Sequence, residues 1–167
     1  DLTGVQALEA GQSVTDTVTV SGDDGTTQDI VITINGSNDA PVITVSDLAA
    51  TEDGAAVSAN SFLTDVDNNS TVTYTVTQPA NGSASIDANG RYTFTPGSDF
   101  QSLAAGETTT VSFTVTATDD NDATDTETVT VTITGTNDSP TVTALTSTKT
   151  VNDADYSIDL LSNVSDA

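Results

Sequence analysis

The chain has 167 residues and a formal net charge of −23, because it contains 25 Asp and Glu residues but only two basic ones, Arg91 and Lys149. Nucleic acids and anionic membranes are held mainly by Lys and Arg, so this charge argues against both as partners. The sequence has no His and no Cys. Catalysis by a His base or a thiolate, and zinc binding by these residues, are therefore excluded, and carboxylate chemistry remains.

The composition predicts an all-β fold. The chain contains 34 Thr and 18 Val, and charged residues make up only 16% of it. β-branched residues favour strands, whereas a disordered acidic tail would be poor in them. No apolar run of 18 residues is present, so we expect no membrane insertion in this segment.

An internal repeat predicts the domain organisation. Residues 32–42 recur at 131–141 with the pattern of a strand followed by Gly-Ser/Thr-Asn-Asp and Pro. Self-similarity at a fixed offset indicates tandem modules, here of about 100 residues. We expect residues 41–140 to be a complete repeat, residues 1–40 the C-terminal part of a preceding one, and residues 141–167 the N-terminal part of a following one. The chain is thus interpreted as an excerpt of a longer protein.

Short alternating runs separated by turn residues predict the strands in chain order. Residues 14–21 and 29–35 should form the last hairpin of the preceding repeat, with an exposed apolar face of Val18, Val20, Ile30, Ile32 and Ile34. In the complete repeat the strands are expected near 42–46, 57–62, 71–77, 83–86, 91–95, 110–118 and 126–134. Two early strands of a following repeat are expected within 141–167.

Alternation within these runs predicts a β-sandwich with one buried face per sheet. Val111, Phe113 and Val115 share one strand face, while the intervening positions are Ser and Thr. The aromatic side chains fall in such runs and are predicted to lie in the core: Tyr74, Tyr92, Phe94, Phe62 and Phe113. Asn89-Gly90, between two strands, is typical of a tight hairpin turn.

Several motifs together resemble a known family. They are Glu52-Asp-Gly, the run from Phe62 through Asp65-Val-Asp67, the run from Asn81-Gly to Tyr92-Thr-Phe94, and the closing Gly135-Thr-Asn-Asp-Ser-Pro140. The chain resembles the VCBS repeat of giant RTX-type bacterial surface adhesins. This resemblance implies tandem Ig/cadherin-like Greek-key β-sandwich repeats in an extracellular, cell-surface protein. It also implies Ca²⁺ and neighbouring repeats as partners.

The residues themselves favour calcium at the first junction. Ca²⁺ takes six to eight oxygen ligands, often carboxylates, Asn side chains and carbonyls. Asn38-Asp39 precedes the complete repeat, Asp65 and Asp67 follow its second strand, and Asp119 ends its sixth. This order resembles cadherins, in which a linker Asn-Asp, a DxD loop and an Ala-x-Asp strand end bind calcium between domains.

The second junction offers a corresponding set. Asn137 and Asp138 are expected to join Glu52 and Glu107 of the complete repeat, with Asp166 as a further candidate. Glu107 stands roughly where cadherins carry Leu-Asp-Arg-Glu. In the preceding fragment Gln12 is its equivalent and Glu9 lies three residues earlier, so the first junction is expected to bind fewer ions.

The alternative for each acidic loop residue is turn chemistry. Asp and Asn side chains hydrogen-bond nearby backbone and tolerate left-handed conformations without any ion. This applies in particular to the dense run from Asp119 to Asp125, in which Asp119 alone is a candidate ligand.

The predicted function is structural and non-enzymatic. We expect a calcium-stiffened extender, or stalk, of a large adhesin or surface filament that supports cell adhesion and biofilm formation. Head-to-tail neighbouring chains are an additional possible partner. The alternative is a ligand-binding β-sandwich that recognises a glycan or peptide through its loops. A glycosidase-like carboxylate pair ranks last, because only four Glu are present and opposed acids need a pocket.

Overall fold

The computed structural model describes residues 5–67, 70–142 and 164–165. The described residues form thirteen strands: β1 Ser13–Ser21, β2 Thr27–Asn35, β3 Val42–Thr44, β4 Leu48–Thr51, β5 Val57–Asn60, β6 Phe62–Thr64, β7 Thr73–Val76, β8 Ser83–Ile86, β9 Arg91–Thr95, β10 Thr108–Thr118, β11 Thr124–Thr134, β12 Thr141–Val142 and β13 Val164–Ser165. The prediction of an all-β β-sandwich is confirmed.

The sandwich spans β3 to β11. One layer is the sheet β4-β11-β10-β7, and the other consists of the pair β3-β6 and the sheet β5-β9-β8. The long β10 and β11 pair antiparallel along their whole length, whereas β4 joins β11 in parallel register, with Leu48 opposite Val131. The 11-residue length of β10 separates the two ends of the sandwich by roughly 35 Å.

The core lies between the two layers. Val115, Val129 and Ile133 of the first layer are fully buried against Tyr92 and Phe94 of the second. The Tyr92 ring meets the Phe113 ring edge to face, with centroids 6.2 Å apart, an arrangement that adds to the free energy of simple burial. The Tyr92 hydroxyl donates to the Ser46 carbonyl and accepts from the Ser46 amide, so its polar end is satisfied inside the fold.

Two features of the observed strands differ from the predicted ones. Strand β4 was absent from the prediction, because Leu48-Ala-Ala-Thr51 is too short to show clear alternation. The predicted strand 57–62 is divided into β5 and β6 at Ser61, whose amide and hydroxyl both bond the Gly90 carbonyl. Gly90 itself has a φ of 77°, as expected for the predicted Asn-Gly turn.

The prediction that Phe62 lies in the core is wrong. Its side chain is 66% exposed. Inward positions along β5 and β6 are odd-numbered, with Val57, Ala59 and Leu63 packed against the core. Period-two alternation therefore places Phe62 on the outer face. Phe100, after β9, is buried instead and meets the Phe94 ring at 6.3 Å.

The predicted N-terminal hairpin is confirmed. β1 and β2 pair antiparallel from Ser13–Asn35 to Ser21–Thr27. Val18 is 45% exposed and Ile30 49%, with Val20 and Ile32 similarly exposed and Ile34 half-buried. Of the predicted strands in 141–167, the short antiparallel pair β12 and β13 is described. The remainder of that segment, with Asp166, lies outside the described residues.

Candidate metal centres

The first pole of the sandwich gathers five of the predicted ligands: Asn38, Asp39, Asp65, Asp67 and Asp119. Asn38 Nδ2 donates to Asp119 Oδ2 at 2.9 Å, which ties the linker between β2 and β3 to the end of β10. The Asp39 amide donates to Asp67 Oδ2 at 2.8 Å, and the Asp67 amide donates to Asp65 Oδ1 at 3.0 Å. The linker, the DxD loop and the strand end thus form one hydrogen-bonded network.

Several oxygens at this pole are buried without a donor. Asp67 is only 6% exposed, yet its Oδ1 has no hydrogen-bond partner among the described residues. The same holds for Asp65 Oδ2 and Asn38 Oδ1. Burying an unpaired carboxylate oxygen is costly, and a hard cation is the ligand that this set of oxygens fits.

Hydrogen-bond donors favour the ionised form of Asp119. The amide of Asn38 lowers the pKa of Asp119, and the backbone amides of Ala123 and Asn121 lower it further, against the opposing effect of burial. The two backbone bonds, 2.8 and 2.9 Å long, are made to Oδ1. Asp119 is therefore ionised under ordinary conditions, as a cation ligand must be.

A residue in the preceding hairpin unit extends the candidate set. Glu9 Oε1 is buried with no partner among the described residues, while Glu9 Oε2 accepts from Gln12 Nε2 at 3.2 Å. Its backbone lies against Gly36, two residues before Asn38, where a Cβ would clash with the Glu9 carbonyl oxygen. The prediction of fewer ions at this junction rested on Gln12 at the position of Glu107, with Glu9 three residues earlier. The observation that points to Glu9 as a ligand is its buried Oε1, which has no partner among the described residues.

The second pole, at the other end of β10 and β11, concentrates carboxylates. Oxygens of Glu52, Asp53 and Asp138 lie within 4.8 Å of one another. Glu52 is 2% exposed; its Oε1 accepts from the amide and hydroxyl of Thr136, and its Oε2 is buried without a partner in the described part of the chain. Asp53, which also accepts from the Thr136 hydroxyl, was absent from the predicted ligands.

Two further predicted ligands of this pole, Glu107 and Asn137, are exposed. Glu107 is exposed, and its Oε2 accepts from the Ala104 amide at 3.1 Å within its own turn. Asn137 is also exposed, and its Nδ2 donates to the Asp138 carbonyl at 2.9 Å. Asn38 makes the same bond to the Asp39 carbonyl, at 3.1 Å, so the two linkers begin with the same local conformation.

Other acidic residues have structural roles. Asp87 Oδ1 accepts from the amides of Asn89 and Arg91 and closes the β8–β9 turn. Asp125 accepts from the Ile43 amide at 2.9 Å and fastens β3 to the start of β11. Both residues thus hydrogen-bond the backbone of turns and strand edges, which was the alternative to ion binding.

A shallow groove of about 490 Å³ lies on the outer face of the first sheet. Its described lining consists of Ala80, Asn81, Val111 and the Thr and Ser positions of β10 and β11. None of these side chains is titratable, and none is an aromatic ring on which a sugar could stack. The groove therefore gives no support to the alternative of a glycan- or peptide-binding module.

Comparison with known proteins identifies the domain type. The family described as bacterial cadherin-like domain matches residues 38–135. No curated protein sequence matches the chain. No helix among the described residues is long and apolar enough to cross a membrane.

Two of the solved structures similar to this chain are cadherin ectodomains. Protocadherin gamma B7 extracellular domains 1–4 share 18% identity over 81% of this chain and 35% of that one, with a TM-score of 0.49. Drosophila N-cadherin EC1-4 shares 22% identity over 74% of this chain and 31% of that one, with a TM-score of 0.46. The chain thus spans about a third of the length of these structures. On the family match, the chain belongs to the bacterial cadherin-like domain family.

Proposed function

We propose that this chain is a calcium-stiffened extender of a large extracellular bacterial adhesin or surface filament. One observation carries the proposal: carboxylate oxygens are buried without a donor at both poles of the sandwich, in Asp67 and in Glu52. A Ca²⁺ ion at each pole would satisfy these oxygens and offset the local like charge.

The candidate ligands at the first pole come from two parts of the chain, which two hydrogen bonds already connect. Asn38 and Asp39 belong to the linker after β2, whereas Asp67 and Asp119 belong to loops of the sandwich. An ion shared between them would fix the linker to the sandwich. The junction would then resist bending, which is the property that a long stalk requires.

The broader assignment follows from the resemblance and the repeat. We infer tandem repeats with units at 1–40, 41–140 and 141–167, of the VCBS type found in RTX adhesins, located outside the cell or on its surface. In this role the chain supports adhesion and biofilm formation without enzymatic activity. Its partners are neighbouring repeats of the same protein or head-to-tail neighbouring chains.

Calcium titration of the chain, followed by thermal melting and small-angle scattering, tests the proposal. An ion present at one hundred times its Kd adds about 2.7 kcal/mol to the free energy of unfolding. In a domain of this size that stabilisation raises Tm by roughly 10 °C or more. Chelation should reverse the rise in Tm and broaden the distribution of particle lengths.

Asp67→Asn is the informative variant, since it keeps an acceptor for the Asp39 amide and removes the charge. We expect it to lose part of the calcium-dependent rise in Tm. Asp87→Asn is the matched control: it removes one charge from a turn and should retain the full rise. Identical melting and scattering with millimolar calcium and with chelator would contradict the proposed function.

A further inference from the structure

The outer face of the second layer of the sandwich has an unusual charge for this chain. Its five strands, β3, β6, β5, β9 and β8, contain no Asp or Glu, although the chain has 25 acidic residues. They do contain Arg91, one of the two basic residues of the chain. The strands of this layer therefore carry one positive charge and no negative one.

The Arg91 side chain has no carboxylate partner among the described residues. It is exposed, and its Nε and Nη2 both donate to the Ser58 hydroxyl, at 3.1 and 2.6 Å. Asp87, in the turn before Arg91, accepts from the backbone amides of Asn89 and Arg91 through Oδ1. A guanidinium has five N–H donors. Arg91 thus keeps donors free for a ligand, in a planar fork that matches a carboxylate.

The same layer carries the exposed apolar side chains of the sandwich. Among the described residues of β3 to β11 and their loops, the large hydrophobic side chains that are exposed are Val42, Phe62 and Val66. Val42 pairs with Thr64, and Phe62 pairs with Thr44, so Val42 and Phe62 are diagonal neighbours on the outer face of β3–β6. In this part of the chain, Phe62 is also the one aromatic ring that is exposed.

Strand register brings the cation and the ring to one stretch of this face. Arg91 pairs with Asn60. Ser58, which holds the guanidinium, lies two residues before Asn60, and Phe62 lies two residues after it. At about 3.3 Å per residue, Ser58 and Phe62 are about 13 Å apart. The exposed Asn60 amide between them both donates and accepts hydrogen bonds, whereas the described lining of the groove on the first layer has neither a cation nor an aromatic ring.

From this arrangement we propose that the outer face of the second layer binds a carboxylated oligosaccharide. The Arg91 guanidinium would bind the carboxylate, and the Phe62 ring would stack against the apolar face of a sugar. Asn60 would hydrogen-bond the hydroxyls between these two ends. A ligand that reaches both ends is longer than one sugar unit. This binding is additional to the proposed stalk function and does not depend on it.

Charge and size favour a saccharide over a second copy of the chain. Two copies that each carry a net charge of −23 repel each other. The exposed apolar part of the face consists of three side chains, whereas a stable protein interface uses roughly 20–30 residues a side. A single cation also fits one carboxylate, because a ligand with many closely spaced anionic groups would be repelled by the surrounding acidic surface.

Amide NMR titration of the 167-residue chain in calcium tests the proposal. The probes are a hyaluronan hexasaccharide and sialyllactose, each compared with a form in which the carboxylates are methyl esters. We expect saturable shifts at the amides of Ser58, Asn60, Phe62 and Arg91. The esterified probes should bind about tenfold more weakly, because they lose a charge-assisted hydrogen bond.

Two variants separate the contributions of the cation and the ring. Arg91→Gln should weaken binding of the charged probes about tenfold and should bind the charged and esterified forms equally. Phe62→Ser should weaken binding of both forms. Gln28→Glu, at an exposed position of β2, changes the net charge as Arg91→Gln does, and Val31→Ser removes a side chain that is 62% exposed on the same strand. Both control variants should bind like the wild type.

Three results would overturn the proposal outright. They are no shift with either carboxylated probe, equal binding of the esterified probes by the wild type, and shifts confined to residues at the poles, such as Asp67 and Glu52. An equal response to the acidic peptide acetyl-Phe-Gly-Glu-amide would assign the face to a protein partner instead. A concentration-dependent dimer on sedimentation that protects the Phe62 amide from exchange would assign it to a second copy.

Discussion

The two poles of the sandwich hold the same kinds of residue in different electrostatic states. At the first pole, amide donors from Asn38 and Asp39 already bond Asp119 and Asp67. At the second pole, carboxylate oxygens of Glu52, Asp53 and Asp138 lie within 4.8 Å of one another. Thr136 donates hydrogen bonds to the first two. The first pole is thus partly organised without an ion, whereas at the second pole three carboxylates lie in direct proximity to one another.

This difference shows what an ion would contribute at each place. At the first pole, where amide donors already bond the carboxylates, calcium would add ligand bonds to an existing hydrogen-bonded network. Where carboxylates face one another, calcium also removes a repulsion that grows as the local dielectric falls. Removing one charge should therefore change the free energy of unfolding more at the second pole than at the first. The change should be stabilising without calcium and destabilising with it.

The largest expected effect is from Glu52→Gln. In chelator this variant should be more stable than the wild type by about 1 kcal/mol, because it removes one of three neighbouring charges from a buried position while keeping the acceptor for Thr136. In saturating calcium it should be less stable by about 1–3 kcal/mol, because a charged ligand is lost. Chemical denaturation in both buffers measures the two differences.

Asp67→Asn provides the contrast, since at the donor-rich first pole it should lower stability in calcium and leave it nearly unchanged in chelator. If Glu52→Gln destabilised the protein equally in the two buffers, the distinction between the poles would be wrong.

An intermediate effect is expected from Glu9→Gln. If the buried Glu9 Oε1 is a ligand of the first pole, the variant should weaken calcium binding there about tenfold, which corresponds to about 1.4 kcal/mol. Calorimetric titration in a Glu52→Gln background isolates the first pole. Glu127→Gln, at an exposed position of β11, is the charge-matched control, and equal affinity in the two variants would remove Glu9 from the ligand set.

The smallest effect concerns the donors of the first pole. Asn38→Ala removes the leading cause of the lowered pKa of Asp119, so that pKa should rise towards the ordinary aspartate value. Because the folded-state pKa is lowered in the wild type, Asp119 contributes stability above the unfolded value, near pH 3.9, and loses it as the pH falls through the folded value. Carbon-detected NMR titration in chelator measures the shift; an unchanged pKa would mean that Ala123 and Asn121 alone hold the carboxylate.

Much of the fold could be predicted from the alternation of apolar and polar residues along the sequence. Long strands such as β10 and β11 repeat the period of two often enough to show their buried face, and the offset repeat identified the matching N-terminal hairpin. Strand β4 was not predicted, because four residues are too few to show an alternation of apolar and polar side chains. Its position depends on parallel pairing with β11. Phe62 was placed in the core because it lies in an alternating run, but the phase of that run, set by Val57 and Ala59, puts it on the outer face.

The candidate sites were predictable to a similar degree. The linker, DxD and strand-end motifs pointed to residues that the structure brings together at the first pole, since short motifs lie at fixed points along strands and loops. Asp53 and Glu9 were not predicted as ligands, because each becomes a candidate only through the position of one side-chain oxygen relative to a neighbour. Glu107, predicted from its motif, accepts a bond from its own turn through Oε2.

The parallel pairing of β4 with β11 determines how the domain would respond to traction along its length. The chain enters the sandwich near Ile43, beside the start of β11, and leaves after Thr134 at the far end. Opposed forces on these two points would slide Leu48–Thr51 against Val131–Thr134, so the evenly spaced bonds of the parallel ladder would be loaded together in shear. The four residue pairs of this ladder would then resist the pull together, alongside the antiparallel pair β3–β6 that precedes it in the chain.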